Sequence, residues 1–181
     1  TSKHGVIAAI EGDQWDWSRP LEAANYRAPT CAYCHLYDGR HDVGRAVAPW
    51  APWRKGDPAK IENARENAEE PCRDCHSPRY VGTLFAAGER GMDIGRRKMR
   101  EAKALLNGVA DPDTVKELRG LMKTMETKSL KSLWHGTVHH SPDYQWWFGQ
   151  AALDGDLVRI KAAVSRLQRK RTLSGGGAPA P

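Results

Sequence analysis

The chain has 181 residues, with 28 Lys+Arg against 22 Asp+Glu, 40% apolar residues and four Cys. That length suits one domain, or one domain with an extension, rather than a multidomain enzyme, and no run approaches the roughly 18 apolar residues a membrane span needs. Aromatics are dominated by seven Trp against two Phe and aliphatics are sparse, so the core needs another source of buried apolar surface.

Residues 1–80 read as loop with short helices, because Pro and Gly recur and no alternating strand pattern appears. The segment opens on Ser2-Lys3-His4-Gly5 and reaches Cys31-Ala32-Tyr33-Cys34-His35, with His41 just beyond a turn at Asp38-Gly39-Arg40. The stretch 58–70 predicts a helix with Asp57 as N-cap and Pro58 in first position. Cys72-Arg73-Asp74-Cys75-His76 follows. Over 81–171 the apolar residues recur at a period of 3.6, which predicts three helices. The first covers roughly 81–107 (Leu84, Phe85, Met92, Met99, Leu105, Leu106), with Gly91 and Gly95 weakening its middle. The second starts at Asp111-Pro112-Asp113 and carries Val115, Leu118, Leu121, Met122, Met125, Leu130 and Leu133. The third starts near Asp143 and carries Leu153, Leu157, Ile160, Val164 and Leu167. Its end bears Arg159, Lys161, Arg166, Arg169, Lys170 and Arg171, a solvated face suited to a helix C-terminus, with docking to an acidic partner as the alternative. The Gly/Ala/Pro-rich stretch 172–181 reads as a flexible tail.

The four cysteines form two complete CxxCH motifs with none left over. Two thiols three positions apart can each add to a vinyl group of one porphyrin, and the adjacent histidine then points at the iron. Two covalently bound haem c groups are therefore expected, on Cys31, Cys34 and His35 and on Cys72, Cys75 and His76. Zinc would make the histidine after each pair a coincidence. Two CxxC disulfides would cross-link little, and a thioredoxin-like pair lacks a βαβ context. Covalent haem attachment outside the cytoplasm implies a periplasmic or extracellular location. Residues 1–20 lack a basic stretch followed by an apolar one, so the sequence reads as a processed form or a piece of a longer chain. With two haems and their propionates counted, the formal +6 falls to roughly +4 oxidised and +2 reduced. A nucleic-acid partner is not expected on that balance.

Two irons need at most two distal ligands from His4, His41, His135, His139 and His140. Met92, Met99, Met122 and Met125 sit in helical patterns and read as core, so bis-His coordination is expected for both haems. His135 and His139 are four apart and share a helical face, whereas His140 points about 100° away and reads as solvated. The candidate iron ligands are thus His35 and His76 with His4, His41, His135 and His139.

The opening Ser-Lys-His-Gly, Pro29-Thr30 with the first motif and His41, the second motif running on to Ser77-Pro78-Arg79-Tyr80, and His140-Ser141-Pro142-Asp143-Tyr144-Gln145-Trp146-Trp147 together resemble the C-terminal part of octahaem hydroxylamine oxidoreductases. The resemblance spans nearly all of 1–171. It implies a mainly α fold of multihaem cytochrome c type, with a haem-packed, loop-rich N-terminal half over 1–80 and three long helices over 81–171. It also implies that His35 and His76 are proximal ligands of terminal relay haems, that His4, His41 and a histidine of 135–140 are distal ones, and that Tyr144 is nearest the family's tyrosine cross-link to a catalytic haem. The chain carries neither that catalytic haem motif nor about five others.

Two functions compete. One is a dihaem cytochrome passing electrons between a multihaem or soluble cytochrome partner and a like neighbour, in a homo- or hetero-oligomer that is trimeric or built of repeated units. The other is a fragment or subunit of a hydroxylamine oxidoreductase-like enzyme, lending Tyr144 and two exit haems to a site on another chain. A dihaem peroxidase lacks a recognisable ligand-switch region, and a zinc-binding interaction module demands the two coincidental histidines.

Overall fold

The computed structural model describes residues 3–12, 31–39, 41 and 58–174. The N-cap expected at Asp57 and the tail beyond Ser174 lie outside the described residues, as does most of 13–57. Every regular element among the described residues is helical: α1 (Lys3–Gly12), α2 (Cys31–His35), α3 (Pro58–Arg73), α4 (Pro78–Asn107), α5 (Pro112–Thr124), α6 (Lys131–Val138), the single turn α7 (Pro142–Tyr144) and α8 (Ala151–Ser174). A mainly α fold is what the period-3.6 patterning and missing alternation dictate. No described helix is long and apolar enough to cross a membrane.

Helix starts follow local chemistry. α4 begins three residues before the expected position because Ser77 caps it. The Ser77 Oγ accepts from the Tyr80 backbone N–H at 3.3 Å, and Pro78 takes the first helical position, where its missing N–H costs nothing. α5 opens as the sequence indicates, with the Asp111 carboxylate accepting from the Thr114 backbone N–H at 2.9 Å. π-helical turns at Met125–Leu130 and Gln145–Gln150 join α5 to α6 and α7 to α8, so the second and third expected helices each contain one wider turn.

The residues group into two compact units, Thr1–Arg90 with Gly136–Pro142, and Gly91–His135 with Asp143–Pro181. In the second unit α5 packs along α8, and the two π-helical turns pack on each other and on α8. Its core holds Met92, Ala102, Leu118, Met125, Leu133, Leu153, Leu157, Ile160 and Ala163. Gly91 and Gly95 are not weak points in α4 but sites of close approach. A methyl group at Gly91 would lie 2.7 Å from Gln145 Nε2, and one at Gly95 would strike Leu133. Buried Asp156 accepts from the Ser129 hydroxyl and pairs with Arg159 at 3.1 Å. Lys161 pairs with Glu101 and Arg166 with Glu117, both at 2.6 Å, so half of the cationic run is matched within its own unit.

The first unit is different. It contains all four cysteines and every histidine except His135, yet its buried apolar residues among those described are Ala68, Val81 and Phe85. Buried Glu69 near the end of α3 accepts from Arg65 Nε at 3.0 Å and Arg73 Nη2 at 2.7 Å, tying the last turns of α3 together just ahead of Cys72. Glu69→Ala removes the shared partner of Arg65 and Arg73 and loosens the turn, although Arg65 keeps its pairing with Glu89 at 3.5 Å. Both guanidinium groups are partly exposed, so the expected loss is about 2 kcal/mol rather than the larger cost of a wholly buried pair, measurable by denaturant unfolding.

Candidate haem sites

Each CxxCH motif is wound into one helical turn. Cys31 to His35 is α2 itself, and the three-residue spacing brings its two sulfurs to one side. Two residues separate the helix from Asp38 and Gly39 at φ 55° and 66°, left-handed positions that turn the chain as the Asp-Gly sequence suggests. At the second motif the backbone N–H groups of Cys75 and His76 both donate to the Cys72 carbonyl, at 3.3 and 2.9 Å. The four sulfurs are free thiols here and stand in for the thioether sulfurs of attached haem. Burial, and then the nearby Cys34, pushes the Cys72 thiol up to about 11, so the two attachment loops lie close to each other.

Histidines from distant parts of the chain come together at these turns. The His76 ring faces His4 of α1 with centroids 6.0 Å apart, and the His35 ring faces His139 with centroids 6.4 Å apart. A metal–imidazole bond of about 2.0 Å plus roughly 1.1 Å from nitrogen to ring centre puts two imidazoles trans across one metal about 6.2 Å apart. Both ring pairs lie near that span, and each brings a histidine of one CxxCH motif together with a histidine from elsewhere in the chain. Burial, and then His76, lowers the His4 pKa, which favours the neutral imidazole that ligates metals. The His76 ring also lies 5.0 Å from that of Tyr80.

His139 is held by a helix stop. The Ser141 N–H donates to the Gly136 carbonyl at 2.8 Å and the His140 N–H to the Thr137 carbonyl at 3.1 Å, with His140 left-handed at φ 47°. That is a Schellman turn with His139 at the helix cap and a histidine where glycine is usual. His140 is therefore not the solvated residue expected. Its ring packs on Phe85 at 4.7 Å, and burial, followed by His139 and His4, lowers its pKa to about 4. The reason is the left-handed backbone, which abolishes the 100° helical offset the expectation assumed.

Other candidates are placed differently. His41 and His135 are exposed, as are His4 and His139, and are set apart by lying outside the two ring pairs. Tyr144 is half-buried with its ring 4.8 Å from Phe148, while Trp146, Trp147 and Phe148 are each more than half exposed. Sequence reasoning missed three further residues. The Tyr33 and Tyr37 hydroxyls both donate to the Asp74 carboxylate, one to each oxygen. The available signal was the i, i+4 spacing of the tyrosines and the acid inside the second motif.

Comparison with known proteins bears on the family and the fold. The chain is 22% identical to a probable nitrite reductase-hydroxylamine oxidoreductase fusion protein of Kuenenia stuttgartiensis, over 97% of this chain and 32% of the relative. It shares its fold with a chain of the Kuenenia stuttgartiensis reducing HAO-like protein complex, at a TM-score of 0.64 and 20% identity over 96% of this chain and 53% of that one. It thus spans about a third of the first and half of the second. Residues 1–119 match the family described as seven times multi-haem cytochrome CxxCH. With about two thirds of its length inside that match, the chain belongs to the multihaem CxxCH cytochromes, whose haem c is bound covalently.

Proposed function

We propose that the chain is a dihaem electron-transfer unit in which both irons have two histidine ligands. His35 and His139 serve the haem on Cys31 and Cys34, and His76 and His4 serve the haem on Cys72 and Cys75. The observation carrying this reading is the pair of imidazole separations, 6.4 and 6.0 Å, each spanning one iron. Haem iron supplies one-electron chemistry between its ferrous and ferric states. The chain's part is to fill both axial positions, so that no site stays open to substrate, and to hold two attachment loops side by side. A cytochrome redox partner, a periplasmic or extracellular location and a place in a hetero-oligomer accord with the HAO-like complex that shares the fold.

The test is the absorption spectrum of the dithionite-reduced protein with and without carbon monoxide, alongside haem quantification. Two covalently bound, low-spin haems that ignore carbon monoxide are expected. A carbon-monoxide-sensitive fraction contradicts the reading.

The enzyme reading keeps one specific support. Tyr144 adjoins an exposed aromatic row, Trp146-Trp147-Phe148, on a chain that spans a third of a relative with an oxidoreductase name. In that reading Tyr144 contributes to a haem on another chain, and mass spectrometry finding a haem adduct on Tyr144 in the native assembly would establish it.

A further inference from the structure

The Tyr33, Tyr37 and Asp74 triad is used by neither axial coordination nor covalent attachment. Tyr33 is an interior residue of the first CxxCH motif and Asp74 is an interior residue of the second. Their hydrogen bond links the two attachment loops directly, across 41 residues of sequence. Tyr37, one helical turn beyond Tyr33, brings a second hydroxyl to the other carboxylate oxygen at 3.0 Å. The two rings stand edge to face at 5.8 Å, which holds both hydroxyls on one side. Hydrogen bonds from a hydroxyl to an ionised carboxylate are among the stronger ones.

We propose that Tyr33, Tyr37 and Asp74 form a clasp that locks the two attachment loops together and so fixes the mutual orientation of the two haem groups. The proposal rests on the dihaem reading above. Each loop holds its haem through two thioether bonds and one proximal histidine, so rotation of one loop against the other swings an entire porphyrin. One carboxylate taking both of its partners from the opposite loop resists that rotation directly. These are positioning residues that touch neither iron.

The test uses the full haem-loaded chain and circular dichroism in the Soret region, where two neighbouring haems give a paired positive and negative band set by their mutual orientation. Tyr37→Phe leaves both CxxCH motifs intact, and each hydrogen bond removed lowers the ratio of closed to open clasp by roughly tenfold. Partial loss of the paired band is expected for Tyr37→Phe. Full loss is expected for Tyr33→Phe combined with Tyr37→Phe, and for Asp74→Ala, while Asp74→Glu retains part of the band. A paired band unchanged in Tyr37→Phe and in the double variant, with two low-spin haems present, overturns the clasp alone. A wild-type chain holding fewer than two haems overturns the dihaem reading and the clasp with it, and haem quantification separates the two failures.

Discussion

His139→Ala makes one of the two haems carbon-monoxide-sensitive and leaves the other low-spin; His4→Ala does the same to the other haem. The change is large because it is qualitative: the haem concerned goes from six-coordinate to open, so about half of the total haem becomes reactive. Each substitution removes a ring that spans 6.4 or 6.0 Å to its proximal partner and leaves the thioether cysteines in place, so haem content is retained. His41→Ala and His135→Ala, outside the two ring pairs, leave both haems low-spin. Absorption spectra of the four variants under carbon monoxide are the check. Reactivity appearing in His41→Ala or His135→Ala reassigns the distal ligand. The comparison also separates carrier from catalyst, since a haem open in the unmodified chain would need no substitution to react.

Gly149→Ala costs about 3 kcal/mol, near the upper end of ordinary overpacking. The added methyl would stand 2.7 Å from Leu133 Cα and 2.8 Å from its Cβ, so backbone rather than a flexible side-chain end must give way. Gly120→Ala in α5 is the contrast: nothing lies within 4 Å of its methyl, and relief of backbone freedom in a helix stabilises by roughly 0.5–1 kcal/mol. At the size of this chain, differential scanning calorimetry should place the Gly149 variant roughly 6–12 °C below wild type. A Gly149 variant that melts with wild type would mean that the approach of the second π-helical turn to α6 relaxes freely.

What could be read from the residues alone depended on how local the cause was. The CxxCH motifs were legible because thioether attachment and proximal ligation are dictated within five consecutive residues. The helices of 81–171 were legible because the apolar repeat is itself the signal, and Asp111-Pro112 marks a capped start. Gly91 and Gly95 misled, since a glycine chosen for close approach looks the same in sequence as one that loosens a helix. The pairing of His4 with His76 and of His35 with His139 was hidden among five candidates, because nothing in the spacing of distant histidines ranks them. His140 escaped because its orientation depends on a left-handed turn that histidine seldom adopts. The Asp74 triad escaped because the interior positions of CxxCH are unconstrained by haem attachment itself, so their identities carry no message until two loops are seen side by side.

The wider turn at Gln145–Gln150 has a consequence for how this chain is to be aligned with its relatives. A π-helical turn takes in one residue more than an α-helical one, and that residue rotates everything downstream by about 100°. A relative with a single deletion between 145 and 150 would not merely be shorter by one. It would bring a different side of α8 to α5, moving Leu153, Leu157 and Ile160 off the buried stripe unless a compensating insertion followed. Gap placement in this stretch is therefore a statement about helix phase, and an alignment that slides the aromatic row by one residue assigns the wrong side of the helix to the core.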